Sequence, residues 1–395
     1  MDPNRNPFTP GAGFRPPEMA GRTSAVALAE VALASLQRCQ PTRPVILYGL
    51  RGVGKTVLLN VIEDRARTAR CHVIAFEATD KVGMGEALVP ELQRVLARLS
   101  TSAKAKTLAL AAVNAVRDFM AQIELSYGEA KLAVKERQPG DGSAGSLEVH
   151  LKQALIAVGE AARAAEEPVV LLIDEIQYLD LREEGREFGA LISSLHRVGQ
   201  LGLPIGFFGA GLPQIHGIVA KLRSYAERSF QFVKVGALEK GDALQAIERP
   251  VFGAGEYIDD DALELIFART QGYPYFLQEY GRHAWQEAPE SPITRAHVER
   301  AHEAAVRDLD EGFFEARMQR VTDREKDYLF AMASLGTGPY ATAAVATAAG
   351  EASGILSPFR DALIKKGVIW APRRGEVGFT VPMFDTYLQR LSPRA

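Results

Sequence analysis

Cysteine is scarce in this sequence, since only Cys39 and Cys71 occur among 395 residues. Two thiols cannot build a disulfide framework and are too few for a multi-cysteine metal site. The seven histidines are scattered, without the paired spacing that metal ligands show. The sequence therefore argues against a disulfide-rich secreted protein and gives no indication of a structural metal site. The expected compartment is the reducing cytosol.

Long hydrophobic runs are also missing, and no stretch approaches the length of a membrane-spanning helix. The first residues, MDPNRNPFTPGAGFRPPEMAGR, lack the apolar core that a signal peptide needs. The net charge is only −3, from 46 Lys and Arg against 49 Asp and Glu. We expect a cytoplasmic protein with no membrane partner, in which any nucleic-acid contact depends on local basic patches.

Short apolar runs alternate with helical periodicity through the first 240 residues or so. Five runs have the length of buried strands: Val45–Gly49, Cys71–Ala78, Pro168–Asp174, Pro204–Ala210 and Ser229–Val235. This alternation predicts an α/β fold, with a parallel sheet and helices on both faces. The wide gap between the second and third runs predicts an insertion made of a helical region (86–119), a hairpin (122–135) and a loop (139–146).

The stretch GLRGVGKT, Gly49–Thr56, fills every position of the pattern G-x-x-x-x-G-K-[ST], directly after a strand and before a helix. Its glycines, Gly49, Gly52 and Gly54, let successive N–H groups turn inward around phosphates. Lys55 supplies a full charge to the β- and γ-phosphates, and the Thr56 hydroxyl ligates Mg²⁺. The pattern predicts binding of ATP and Mg²⁺, with Val53 and Val57 also at the nucleotide.

A second motif, VVLLIDEIQYL (Val169–Leu179), carries an apolar run that ends in two acids. Open α/β sheets bind ligands at the carboxyl ends of their strands, where Asp174 is expected to emerge. Asp174 suits a partner of Mg²⁺, and Glu175 suits the base that polarises the attacking water. The alternative is a strand end that is acidic by chance, but a phosphate loop requires a carboxylate partner at this place.

Together these motifs resemble AAA+ ATPases of the origin-recognition or initiator type, and the similar STAND-like ATP-binding proteins. The resemblance runs over residues 16–278 and is carried by PPEMAGR, GLRGVGKT, LLIDEIQYL, FFGAGLPQI, SYAERSFQFVKVGAL and GYPYFLQ. It implies that Ala20, Gly21 and Arg22 line the adenine pocket and that Pro274 also contacts the nucleotide. It further implies that Arg228 is an arginine finger that reaches the γ-phosphate of a neighbouring subunit. A surface arginine is the plain alternative for Arg228.

Two positions depart from the family pattern. The sensor at the end of the fourth strand usually carries Asn, Thr or Ser, but Gly209-Ala210-Gly211 stands here, with Gln214 the nearest polar residue. The second sensor is typically an arginine at the start of a lid helix, whereas this place holds Tyr273-Pro274-Tyr275, and Arg282 comes about two turns later. These departures predict hydrolysis that is slow or depends on a partner.

We therefore expect an extended arm (1–20), an AAA+ nucleotide-binding domain (21–237, with its insertion at about 81–150), a helical lid (238–320) and a C-terminal unit (321–395). Three helices followed by a hairpin around Arg373-Arg374-Gly375 predict a winged helix in the C-terminal unit.

Counted from Arg320, the C-terminal residues 320–395 carry ten basic residues against seven acids. Duplex DNA is the expected partner, through Arg360 and Lys365 near the recognition helix and Arg373 and Arg374 at the wing. The alternative is a winged helix that docks protein or inhibits the ATPase. The basic residues of the insertion predict a solvated face more than a DNA-contacting loop; they are Lys104, Lys106, Arg117, Lys131, Lys135 and Arg137.

The same residues are compatible with two functions. One is an initiator-like or transposition-regulator-like ATPase that assembles on DNA as a homo-oligomer in its ATP form. The other is a STAND-like signalling or defence ATPase, whose winged helix keeps the nucleotide site shut until a regulatory protein partner arrives.

Overall fold

The computed structural model describes residues 1–11, 13–128, 143–181, 185–222 and 226–391. The chain forms two compact units. The sheet unit consists of Ser24–Tyr48 and Lys55–Lys234, and the helical unit consists of Met1–Thr23, Gly49–Gly54 and Val235–Ala395. In the part of the chain that the structure describes, no helix is both long and apolar enough to cross a bilayer.

A five-stranded parallel sheet forms the centre of the sheet unit, in the order β2-β3-β4-β1-β5. Its strands are β1 (Val45–Tyr48), β2 (His72–Glu77), β3 (Val169–Asp174), β4 (Ile205–Gly211) and β5 (Gln231–Lys234). Every residue of β4, and all of β3 except Asp174, is buried. Because side chains on both faces are covered, these strands read as continuous apolar runs, as parallel strands do. The predicted α/β fold with a parallel sheet is confirmed.

Helices pack against this sheet and against one another. In chain order they are α1 (Thr23–Gln37), α2 (Lys55–Thr68), α3 (Met84–Leu99), α4 (Lys106–Gly128), α5 (Ser143–Ala165), α6 (Tyr178–Leu181), α7 (Arg186–Gln200), α8 (Ile215–Leu222) and α9 (Ala226–Ser229). Buried Glu187 accepts the backbone N–H of Met84 at 3.1 Å and so satisfies an otherwise unpaired donor at the start of α3.

The hairpin predicted at 122–135 is wrong where it can be checked. Residues 122–128 continue α4, and residues 129–142 lie outside the described part of the chain. The helix persists because Val116, Phe119 and Ile123 recur at helical spacing and are all buried. A Cβ on Gly85 would lie only 2.1 Å from Ile123 Cδ1, so this side chain packs tightly on α3. The loop predicted at 139–146 is also too long, since α5 begins at Ser143.

The helical unit begins with a segment that packs along one of its own helices. A 3₁₀ turn at Pro3–Arg5 is its regular element. Phe8 is buried against Gly281, and the Trp285 indole donates to the Asp2 carbonyl at 3.0 Å. The residues predicted as an extended arm thus cover the helix Pro274–Glu287 with apolar surface. Four helices follow the sheet unit in sequence: α10 (Lys240–Gly253), α11 (Asp260–Thr270), α12 (Pro274–Glu287) and α13 (Arg295–Leu309).

A π-helical turn, Asp310–Glu315, continues α13 and leads into the short helix α14, Ala316–Met318. The remaining elements are α15 (Asp323–Ser334), β6 (Tyr340–Ala341), α16 (Thr342–Ala349), α17 (Ser353–Lys365), β7 (Ile369–Trp370), β8 (Glu376–Phe379) and α18 (Phe384–Leu391). A capping box starts α15, because Thr322 and Glu325 exchange side-chain-to-backbone hydrogen bonds. The order of helices, then hairpin, is the one that the sequence predicts.

Candidate nucleotide site

The residue pair at the heart of the sheet unit is Thr56 and Asp174. Thr56 lies in the first turn of α2, and Asp174 is the last residue of β3. The Thr56 hydroxyl donates to Asp174 Oδ2 at 2.6 Å. Residues 118 positions apart in the chain therefore bring two oxygen ligands together at the carboxyl edge of the sheet.

Burial raises the pKa of Asp174, and the hydrogen bond from Thr56 and the charge of Lys55 oppose that rise. Lys55 itself is buried, with 7% of its surface exposed. A carboxylate in this setting gains from a cation beside it, and a hydroxyl with a carboxylate is the hard-oxygen donor set that Mg²⁺ takes. Thr56 and Asp174 therefore fit a Mg²⁺ ion that also contacts phosphates.

Glu175 has a backbone φ of +50°, in the left-handed region that residues other than glycine rarely adopt. Such a conformation costs about 1–2 kcal/mol. Two contacts hold it. The Glu175 N–H donates to Asp174 Oδ1 at 2.8 Å, and the Gln177 side-chain amide donates to the Glu175 carboxylate. The residue proposed as the base is thus fixed in place by its immediate neighbours.

Gln177 was missed by sequence reasoning. It is buried, with 5% exposed, and its Oε1 accepts the N–H of Leu212 at 3.0 Å, just after β4. Gln177 therefore ties the Glu175 carboxylate to the end of β4, where a polar sensor residue was expected. Gln214, the candidate for that sensor, has its Oε1 buried without a hydrogen-bond partner among the described residues.

The glycine-rich part of the phosphate loop belongs to the helical unit. A Cβ at Gly49 would lie 1.9 Å from the Val235 carbonyl oxygen, so no larger residue fits there. Gly52 and Gly54 have φ of +77° and +90°, and Val53 is buried. These conformations turn the backbone as a phosphate cradle requires. Val57 lies half-buried in the first turn of α2.

Arg22 is joined to this loop. Its guanidinium donates to the Val53 carbonyl at 3.0 Å and to the Gly236 carbonyl at 2.6 Å. Burial lowers the pKa of Arg22, and Asp242 opposes that effect. Ala20 is buried, and Gly21 adopts φ +67° beside Asp242. The structure therefore places Arg22 as a brace of the loop, and Pro274 as the first residue of α12.

Two arginines singled out in the sequence lie in different settings. Arg228, in α9, is exposed, and its backbone carbonyl accepts from Arg43 at 3.0 Å. Arg282, about two turns after the second-sensor position, donates to Glu279 at 3.0 Å and also binds Asp308 and His283. Its charge is therefore compensated inside the helical unit.

A parallel sheet, a phosphate loop after β1, and Asp174 and Glu175 at the end of β3 define a P-loop ATPase. Comparison with family models makes the class more specific: the AAA ATPase domain family matches residues 18–206. Residues 18–206 therefore form an AAA ATPase domain. A second family, described as a domain of unknown function (DUF8462), matches residues 311–388.

A solved structure shares the fold. The Walker-type ATPase PABY2304 of Pyrococcus abyssi aligns with a TM-score of 0.58 and 16% identity, over 95% of this chain and 97% of that one. The Orc1 protein of Aeropyrum pernix, solved in complex with DNA, aligns with a TM-score of 0.46 and 16% identity, over 95% and 94%. No curated protein matches the sequence.

Proposed function

We propose that this ATPase is a switch that assembles on duplex DNA in its ATP form. In this proposal the loop Gly49–Thr56 binds the phosphates of ATP, and Lys55 neutralises part of their charge. Thr56 and Asp174 hold Mg²⁺, which when bound supplies positive charge to the phosphates. Glu175 accepts the proton of the attacking water. The hydrogen bond between Thr56 and Asp174 is the observation that supports this arrangement.

The proposal of a DNA partner rests on positive charges in the C-terminal elements that form no ion pair with the described residues. Several cations there are paired: Arg324 with Glu351, Lys366 with Glu325, Arg390 with Asp310 and Arg360 with Asp361. Lys365, Arg373 and Arg374 are exposed, and no carboxylate of the described residues pairs with them. Three such cations near one helix end and one hairpin tip supply the positive surface that phosphates attract.

The arrangement of α17 and the β7–β8 hairpin suits a winged helix on DNA. In this proposal α17 enters the major groove, while Arg373 and Arg374 contact the phosphate backbone. Because Arg360 is engaged by Asp361 at 2.9 Å and by Ser357 at 3.0 Å, it contributes less than Lys365 and the two hairpin arginines. Mostly backbone contacts predict binding with little sequence preference.

The proposal that several copies assemble in the ATP-bound form rests on Arg228. Its side chain is exposed, and no acid of the described residues pairs with it. An exposed arginine fits contact with ATP bound to a second copy of the chain, where it would stabilise charge that develops on the phosphate in the transition state.

A second function is supported by an aromatic cluster in the helical unit. Phe314, in the π-helical turn, stacks on Phe384 and Tyr387 of α18 with ring centroids 5.6 and 5.1 Å apart. The preceding residue, Phe313, lies next to Gly52 of the phosphate loop. Nucleotide state could therefore be passed to the C-terminal elements through packed rings. This continuity suits a signalling ATPase that docks a regulatory protein as well as one that docks DNA.

A titration of fluorescent duplex DNA separates the two functions. The proposal predicts binding with a non-hydrolysable ATP analogue that is at least tenfold tighter than without nucleotide. It also predicts a slope of log affinity against log salt of about −3 per bound subunit, because three cations each displace about 0.9 counterion. Lys55→Ala is the control that removes the nucleotide dependence while leaving the DNA-binding cations in place. Affinity that is weak and unaffected by nucleotide would reject DNA assembly and favour protein docking.

A further inference from the structure

Three side chains of the kinds that bind metals meet between α12 and α13, inside the helical unit. Glu279 and His283 stand four residues apart on α12, so one face of that helix carries both, and Asp308 comes from the last turn of α13. One ligand atom from each of the three lies within 4.8 Å of the other two. Two carboxylates and an imidazole are thus gathered as the ligands of a single ion would be.

A cation already occupies the centre of this Glu-His-Asp cluster. Arg282 Nη2 lies 3.0 Å from Glu279 Oε2 and 2.9 Å from His283 Nε2, and it also donates to Asp308 Oδ2. The three candidate ligand atoms therefore converge on one point. Zn²⁺ binds carboxylate oxygen and imidazole nitrogen at about 2.0–2.2 Å, so an ion at that point needs each ligand atom to move inward by roughly 1 Å.

The charges of the cluster favour a divalent ion. Arg282 brings one positive charge to two carboxylates, and no other Lys or Arg of the described residues forms an ion pair with either of them. Burial raises the pKa of Asp308, but hydrogen bonds from Arg282 and His283 outweigh it and hold the pKa below its ordinary value. Asp308 is therefore ionised at neutral pH, the form that a metal binds. An ion of charge +2 matches both carboxylates, whereas the guanidinium leaves one in excess.

The donor set and its burial favour zinc and give it a way in. Mg²⁺ takes oxygen ligands in an octahedron, whereas Zn²⁺ accepts an imidazole nitrogen beside carboxylates. The side chains of Glu279 and His283 are 6% and 10% exposed, while those of Arg282 and Asp308 are 27% and 35% exposed. Two ligands are thus held in place, the third faces solvent, and the long Arg282 side chain can turn outward to water.

We propose that the Glu-His-Asp cluster is a Zn²⁺ site, in which the ion replaces the Arg282 guanidinium and joins α12 to α13. Water completes the coordination on the side of Asp308. The Asn6 side chain donates to the Arg282 carbonyl at 3.0 Å, so the helix backbone stays in place while the guanidinium leaves. The sequence gave no indication of this site because one histidine and two carboxylates lack the paired spacing of a zinc motif.

The test titrates Zn²⁺ into the full-length protein without nucleotide and with Mg²⁺ in excess, so that the result does not depend on ATP or DNA. Calorimetry should show one Zn²⁺ bound per chain. Asp308→Asn and His283→Gln each remove a ligand and should weaken zinc binding about tenfold to a hundredfold or more. His302→Gln makes the same change on α13 outside the cluster and should bind zinc like the wild type.

Arg282→Met distinguishes a zinc site from a plain network of ion pairs. Without zinc its midpoint of thermal unfolding should fall, because two carboxylates lose their cation. Zinc should bind this variant about tenfold more tightly than the wild type, since no charge-assisted hydrogen bond has to be broken first. Zinc should therefore also raise its midpoint by more than that of the wild type.

Should Arg282→Met fail to fold, Asp308→Asn decides the matter, because it changes the most exposed of the three ligands. No zinc bound by the wild type, unchanged zinc binding in Asp308→Asn, or weaker zinc binding in a folded Arg282→Met would each overturn the proposal.

Discussion

Asp174 lies where burial disfavours its own negative charge. Because its folded pKa is raised above the ordinary value near 3.9, the folded state binds the proton more tightly than the unfolded state. The ionised carboxylate therefore lowers stability above the raised pKa, and this cost disappears as pH falls below the ordinary value. We expect Asp174→Asn to raise the free energy of unfolding of the apo protein at neutral pH.

Urea unfolding at pH 7.5 and at pH 4.0 measures this effect. The gain in Asp174→Asn over wild type should be largest at pH 7.5 and smaller at pH 4.0. Asp118→Asn, at an exposed position of α4, is the matched control and should change stability by no more than about 0.5 kcal/mol. A gain that is the same at both values of pH would show that charge at Asp174 is not its source.

Glu175 permits a test of chemistry without a change of shape. We expect Glu175→Gln to bind ATP and Mg²⁺ like the wild type but to hydrolyse ATP at least a hundredfold more slowly, because an amide cannot accept a proton. Steady-state release of phosphate, together with binding measured by calorimetry, gives both quantities. Wild-type turnover would make Glu175 no more than an acid at the end of a strand.

Residues with a local motif could be placed from the sequence, and residues without one could not. The spacing of the phosphate loop and of Asp174 identified the residues that meet in the hydrogen bond between Thr56 and Asp174. Gln177 carries no such pattern, since a glutamine after an acidic pair is a common surface feature. Its importance comes from a partner distant in the chain, Leu212.

The β7–β8 hairpin permits a test at the level of an element. If Arg373 and Arg374 contact DNA phosphates, the double variant Arg373→Ala/Arg374→Ala should reduce the salt slope of DNA binding by about two per subunit. Affinity should fall across unrelated duplex sequences alike, because backbone contacts carry no base information. Arg324→Ala removes a cation already paired with Glu351 at 2.8 Å and should leave the slope unchanged. An unchanged slope in the double variant would exclude the hairpin from the DNA interface.

Strands were easier to predict than the insertion between them. The five predicted strands agree with β1 to β5 to within two residues at each end, because buried parallel strands leave continuous apolar runs bounded by Gly, Pro or charge. The predicted hairpin failed over residues 122–128, the part that the structure describes, because β-branched and aromatic residues there suggested alternation. The actual period was helical, from Val116 through Ile123, and packing on Gly85 decided the outcome.

At the scale of the whole molecule, a variant of Arg228 tests whether several copies assemble. If Arg228 reaches ATP on a neighbouring copy, hydrolysis per subunit should rise with protein concentration, and Arg228→Ala should flatten that rise. Nucleotide binding should survive, since a residue that acts on the transition state contributes little to the ground state. Arg43→Ala is a poor control because Arg43 holds the Arg228 carbonyl; Arg38→Ala, exposed after α1, is a better one. A monomer in sedimentation velocity at every concentration with the ATP analogue would leave Arg228 without a target.

The division of the chain into units could not have been predicted from composition. A break near 237 was expected, but Gly49–Gly54 and Met1–Thr23 join the later residues. The reason lies in single contacts. Gly49 abuts the Val235 carbonyl, Gly52 abuts Tyr273, and Phe8 packs on Gly281. Such pairings depend on shape at close range, which apolar periodicity does not encode.

The segmented units have a consequence for synthesis on the ribosome. The chain changes unit four times, after Thr23, Tyr48, Gly54 and Lys234. Strand β1 is made early, yet both of its neighbours, β4 and β5, are made late, and Phe8 must wait for α12. Contacts so distant in sequence form slowly and leave apolar segments exposed meanwhile. A nascent chain that has emerged only as far as residue 206, where the AAA match ends, still lacks β5 and most of β4. The growing polypeptide therefore cannot close its sheet until residue 234 has left the exit tunnel, and until then its early apolar strands stay exposed.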